Sequence, residues 1–194
     1  MITHKVRMED AMRHTEMVFI SIIFLATTFT EAHEGLFLKF SVGPGVTIET
    51  AGINKTGVTI AAKNHSVGWA FNRFAVFFGE FGGLIRQDFD EYNYINLDAF
   101  GPGIIWYAPH AVQLSFSGGY GQTAFARKWT EATGDVKSKG YGINMSLDKE
   151  WMIAKRFGLG TGAQTFYIRT KNNDFTFLNF SLKGMVTFYL TPIR

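Results

Sequence analysis

Cysteine is absent from the 194 residues. The chain therefore has no disulfide framework, no thiol nucleophile and no Cys-ligated zinc or iron–sulfur site. Proline is scarce, at 4 residues, so extended segments are rarely interrupted. The formal charge is only +3, and the 19 Lys and Arg residues form no run, which leaves no electrostatic footprint for nucleic acid. After Ala32 no apolar stretch approaches the roughly 18 residues a membrane-crossing helix needs. What is abundant is 20 Phe, 7 Tyr, 4 Trp and 21 Gly. Aromatics suit strands and Gly is costly inside helices, so this composition points to sheet.

The first 32 residues read apart from the rest. Residues Met1 to Glu16 are polar and of mixed charge, and they lead into an unbroken apolar stretch from Met17 to Phe29. That stretch is too short to cross a bilayer as a helix, and Thr30-Glu31-Ala32 supplies a small-residue cleavage site. Residues 1–32 are expected to be a signal peptide with an N-terminal extension, cleaved after Ala32. Residues 33–194 are expected to be one domain.

A period of two runs through that domain. One parity reads Leu36, Leu38, Phe40, Val42, Val46, Ile48, and the other Lys39, Ser41, Gly43, Gly45, Thr47, Glu49. The same split recurs at Val112, Leu114, Phe116, Tyr120 against Gln113, Ser115, Ser117, Gly119. It returns at Tyr141, Ile143, Met145, Leu147 against Gly142, Asn144, Ser146, Asp148, Glu150, and at Leu178, Phe180, Leu182, Val186, Phe188 against Asn179, Ser181, Lys183, Thr187. Eight strands follow, at about 36–49, 56–69, 73–86, 94–107, 111–125, 139–151, 156–170 and 175–190. They are far longer than the usual strand of about 5 to 6 residues, and long enough for the roughly 9 to 11 that cross a bilayer. Strand two changes parity between Ala62 and Val67, which predicts a bulge near His65-Ser66. In strand three both faces carry Phe between Phe74 and Phe81, so in and out stay open there. Gly43-Pro44-Gly45 and Gly101-Pro102-Gly103 mark a kink or bulge in strands one and four, or a break of each in two.

Connections alternate between tight ones, at 70–72, 108–110 and 152–155, and longer polar ones. Aromatics gather at both ends, as a bilayer selects for rings at headgroup level. Trp69, Phe71, Trp106, Tyr107, Trp151 and Phe157 flank the tight turns and form the expected periplasmic girdle. Tyr92, Tyr94, Phe125, Trp129, Tyr141, Tyr167 and Phe175 form the expected outer one. The fold expected is thus all-β, an eight-stranded antiparallel up-and-down transmembrane β-barrel preceded by a signal peptide.

Particular segments carry a resemblance. Phe100-Gly101-Pro102-Gly103-Ile104-Ile105-Trp106-Tyr107 is followed by Val112 to Gly121, then by Leu147-Asp148-Lys149-Glu150-Trp151 and Phe157-Gly158-Leu159-Gly160. From about Gly35 to Leu190 the chain resembles the small bacterial outer-membrane barrels of the OmpA/OmpX/OmpW-like superfamily, in a proteobacterial branch. The resemblance implies an exported outer-membrane protein that meets membrane lipid, lipopolysaccharide and the barrel-assembly machinery. It departs at its end, where Phe188-Tyr189-Leu190 is followed by Thr191-Pro192-Ile193-Arg194 in place of a terminal aromatic.

Chemistry is sparse. Five His occur, of which His4 and His14 precede the cleavage site and His33 opens the domain. His65 and His110 are separated in the topology, so neither a Ser/His pair nor a metal pair is supported. The Gly158, Gly160, Gly162 spacing lies inside a strand, not ahead of a helix, and reads as small lumen-facing residues. No enzyme activity and no cofactor are expected. Lys39 and Lys183 fall on the polar parity of strands that closure makes neighbours, and two ammonium groups in a lumen need counter-charge. An ion-pair network is expected to join them to at least one of Glu80, Asp98, Asp148 and Glu150, with Glu80 and Glu150 best placed. The function expected is a closed structural or surface-interaction barrel acting through its extracellular loops. The alternatives are a lipid-modifying enzyme or conduit for hydrophobic compounds, and a soluble lipocalin-like binder.

Overall fold

The computed structural model describes residues 33–50, 56–89, 92–128, 138–171 and 175–190. Eight strands, β1 His33–Glu49, β2 Thr56–Asn72, β3 Phe74–Phe89, β4 Tyr92–Ala108, β5 Val112–Ala126, β6 Ser138–Ala154, β7 Phe157–Thr170 and β8 Thr176–Tyr189, each pair antiparallel with the next. The ring closes through β1 on β8, from Phe37 opposite Tyr189 to Glu49 opposite Phe177. No sheet edge is left open, which is what an all-strand wall requires where water cannot satisfy its backbone.

Register fixes the tilt of the wall. One row of paired residues runs Lys149, Thr161, Gly184, Val42, Lys63, Gly82, Asp98, Gln122, Lys139. It leaves β6 at Lys149 and returns to it at Lys139, ten residues along the strand, so the barrel closes with a shear of ten over eight strands.

The tight connections all lie at one end. β2 turns into β3 through Asn72 at φ 57, a left-handed conformation that Asn tolerates better than most residues. A short 3₁₀ turn, Pro109–Ala111, joins β4 to β5, and Lys155 and Arg156 join β6 to β7. This is the turn end; the opposite end is the loop end. The expected signal peptide, residues 1–32, lies outside the described residues.

Alternation puts Leu114 and Phe180 on the outside, 39% and 53% exposed, and buries Ser115 and Ser181. β1 and β4 run unbroken through their Gly-Pro-Gly segments. At Pro44 the β1–β2 register shifts, and Pro102 pairs with Phe78 of β3, while the β4–β5 pairing skips from Phe100 to Gly103. The missing N–H of Pro102 falls on that side, and a Cβ on Gly101 would stand 2.0 Å from the Gly118 carbonyl oxygen. The bulge expected near His65-Ser66 sits instead between Thr59 and Ala61. Ala62 misled the parity reading: it is apolar but buried and inward, so the change of face comes before it.

Candidate functional site

The lumen holds a charged network built from four strands. Lys39 Nζ of β1 lies 2.7 Å from Asp148 Oδ2 of β6, and Lys183 Nζ of β8 lies 3.1 Å from Asp148 Oδ1. One carboxylate thus sits between two ammonium groups. Lys39 also donates to Gln113 Oε1 of β5 at 2.9 Å, and Gln113 Nε2 donates to Glu150 Oε2. Tyr189 donates to the same Glu150 oxygen at 2.9 Å. Ser146 donates to Asp148 at 3.0 Å and shares a 2.6 Å hydrogen bond with Ser115. Lys39, Asp148, Glu150 and Lys183 are all between 1% and 4% exposed. Ions so far from water persist only when paired and hydrogen-bonded.

Local sequence explains how β6 reaches across to β1. Gly158, Gly160 and Gly162 of β7 form an inward stripe with no side chains. A Cβ on Gly162 would stand 2.1 Å from Asp148 Oδ1, and one on Gly158 would stand 2.4 Å from Glu150 Oε1. These glycines leave the room that the two carboxylates occupy. Nearer the loop end a neutral polar triad spans β1, β2 and β8: Asn179 Nδ2 donates to Thr47 at 2.8 Å and to Thr59 at 2.7 Å.

Apolar side chains fill the rest. Ala62, Phe81, Ile85, Ile95, Leu97, Ala99, Phe166, Ile168 and Phe177 form one buried cluster. Phe37, Ala70, Ala75, Phe77, Ile105, Tyr107 and Tyr189 form another towards the turn end. An eight-stranded barrel is just wide enough for side chains to fill it.

Of the six charged residues expected inside, Lys39, Asp148, Glu150 and Lys183 come together, and Glu80 and Asp98 do not. Glu80 alternates with the inward Ala75, Phe77, Gly79 and Phe81, so it points outward, opposite His65. Asp98 lies between the buried Leu97 and Ala99 and also points outward. Glu80 and Asp98 are instead joined to Lys63 on the outer face of the wall. Gln113 and Tyr189 belong to the lumenal network but were missed; both are uncharged, and only their inward parity could have marked them.

The aromatic expectations divide the same way. Trp69, Phe71, Trp106 and Trp151 are exposed on the outside at the turn end, and Phe157 packs there on Phe188 with ring centroids 5.0 Å apart. Phe74, also exposed at that rim, was missed. Tyr107 faces inward, since it directly follows the outward Trp106, and it joins the turn-end apolar cluster. At the loop end Tyr141 is exposed and pairs with Tyr167 at 6.2 Å, while Tyr94 is outward and half-buried. Phe125 and Phe175 are not in that girdle. They face inward, 5.3 Å from each other, and pack on the upper apolar cluster. Trp129 and the side chain of Tyr92 lie outside what is described.

No family model matches the chain, and no curated protein matches it in sequence. Solved structures do match in shape. Neisserial surface protein A superimposes with a TM-score of 0.58 at 12% identity, covering 80% of this chain and 97% of that one. Ail, the attachment invasion locus protein of Yersinia pestis, gives 0.51 at 14% identity, covering 80% of this chain and 100% of its own. The fold is therefore that of the small eight-stranded outer-membrane β-barrels.

Proposed function

We propose that the protein is a closed outer-membrane anchor: a barrel that conducts little or nothing and holds its loop-end connections at the cell surface. The lumenal ion network carries this reading. Asp148 between Lys39 and Lys183, tied through Gln113 to Glu150, occupies the space through which ions would pass. Outside, Phe40, Val42, Phe116, Met145, Leu147, Phe180 and Leu182 form an apolar surface that suits hydrocarbon. The names of the two structural relatives, a surface protein and an attachment protein, fit a role in surface contact.

In this reading the partners are outer-membrane lipid and lipopolysaccharide around the wall, the assembly machinery during insertion, and an extracellular ligand of the loops. The role is non-enzymatic. His65 stands on the outer wall and His110 in a turn, and they do not meet. Fractionation of expressing cells tests the placement. The protein should pellet with outer membranes and shift mobility on heating in detergent gels; recovery from the soluble periplasm with no shift would overturn it.

A further inference from the structure

A second Lys–carboxylate cluster stands on the outer wall, where alternation aims side chains at lipid. Lys63 of β2 lies 2.8 Å from Asp98 Oδ1 of β4 and pairs with Glu80 of β3. Asn96 donates to Asp98 Oδ2 at 2.8 Å. Register fixes the face: Lys63 is opposite the exposed Val42, and His65 is opposite the exposed Phe40, on which its ring packs at 5.5 Å. Gly82 lies between Lys63 and Asp98 in the register, and a Cβ there would stand 1.9 Å from the Leu97 carbonyl oxygen, so glycine lets β3 and β4 approach at this point.

Depth follows from the tilted row. Lys149 lies at its turn-end limit and Lys139 at its loop-end limit, with eight steps between them, and Lys63 is the fourth. Lys63 thus stands halfway up the wall between the two. Exposed Val58 and Ile60 lie above it on its own strand, and exposed Val67 and Trp69 below. The cluster is therefore set within the oily belt, not at a rim.

We infer that the face formed by β2, β3 and β4 is an intramembrane contact between two copies of this chain; the inference rests on the membrane reading above. The side chains of Lys63 and Glu80 remain 28% and 27% exposed, so lipid alone would leave charges against hydrocarbon. A protein neighbour with polar groups at the same depth removes that contact. A second copy meets the condition without further design, because a two-fold axis along the membrane normal brings equal depths together. The cluster holds a cation and two carboxylates, so Lys63 of each copy can share a carboxylate of the other. An anionic lipid headgroup does not reach the cluster, which stands halfway up the wall while headgroups lie at the rims.

The natural absence of cysteine makes the test direct. Val67→Cys marks the proposed face and Leu147→Cys the β6 wall. Each variant is refolded into phosphatidylcholine vesicles and treated with a short bis-methanethiosulfonate crosslinker, which forms a disulfide with each cysteine and releases sulfinate. Val67→Cys should give dimers about tenfold more readily than Leu147→Cys, and adding Lys63→Leu, Glu80→Leu and Asp98→Leu should remove that advantage. Should the leucine variant not fold, Lys63→Glu alone should lose the dimer and regain it when mixed with a Glu80→Lys, Asp98→Lys chain. Equal yields from both walls, or crosslinking that ignores these charges, overturn the contact. Protein that fails to float with the vesicles overturns the membrane reading instead; protein that floats, shifts on heating and stays monomeric overturns the contact alone.

Discussion

The two Lys–carboxylate clusters use the same side chains for opposite reasons. In the lumen, Asp148 lies between Lys39 and Lys183 with side chains 0% to 5% exposed, and closure of the sheet leaves these groups no other environment. On the wall, the side chains of Lys63, Glu80 and Asp98 keep 11% to 28% exposure and none of them fills the lumen. The inner network is thus part of what fills the barrel. The outer one is surplus to the fold, which makes it the stronger sign of a neighbour.

Substitutions should separate the two. The largest effect is expected for Asp148→Ala, which strands two buried ammonium groups and should destabilise by about 3 to 5 kcal/mol. Urea titration followed by heat-shift gels would measure it. Met145→Arg, outward and halfway along β6, should come next at about 2 to 4 kcal/mol. Tyr189→Phe removes one hydrogen bond to Glu150 and should cost about 1 to 2 kcal/mol in the same titration. The smallest effect is expected outside: Lys63→Leu with Glu80→Leu and Asp98→Leu should leave the monomer within about 1 kcal/mol of wild type, or more stable, as replacement of ion groups by apolar residues often does. A loss as large as that of Asp148→Ala would remove the distinction between the clusters.

The same contrast explains what could be read from the sequence. β1, β5, β6 and β8 alternate cleanly because one face is oily and the other small or polar, and their inward charges Lys39, Asp148, Glu150 and Lys183 were legible from parity alone. β3 and the loop-end half of β4 invert that rule. Phe81, Ile85, Ile95 and Leu97 are buried inside while Glu80, Asp98 and Asn96 face out. A rule of polar inside and apolar outside therefore sends Glu80 and Asp98 to the wrong face. Tyr107, Phe125 and Phe175 were misassigned for a related reason: proximity to a strand end was used where parity decides. That Asp148 rather than Glu150 lies between the two ammonium groups is set by the register around the ring, which parity alone does not give.

The central claim is that side chains close the lumen, and conductance in planar bilayers tests it most directly. The unmodified protein should give no stable channels, while Asp148→Ala with Lys39→Ala and Lys183→Ala should raise conductance by opening the space these residues fill. Stable open channels from the unmodified protein would contradict the account.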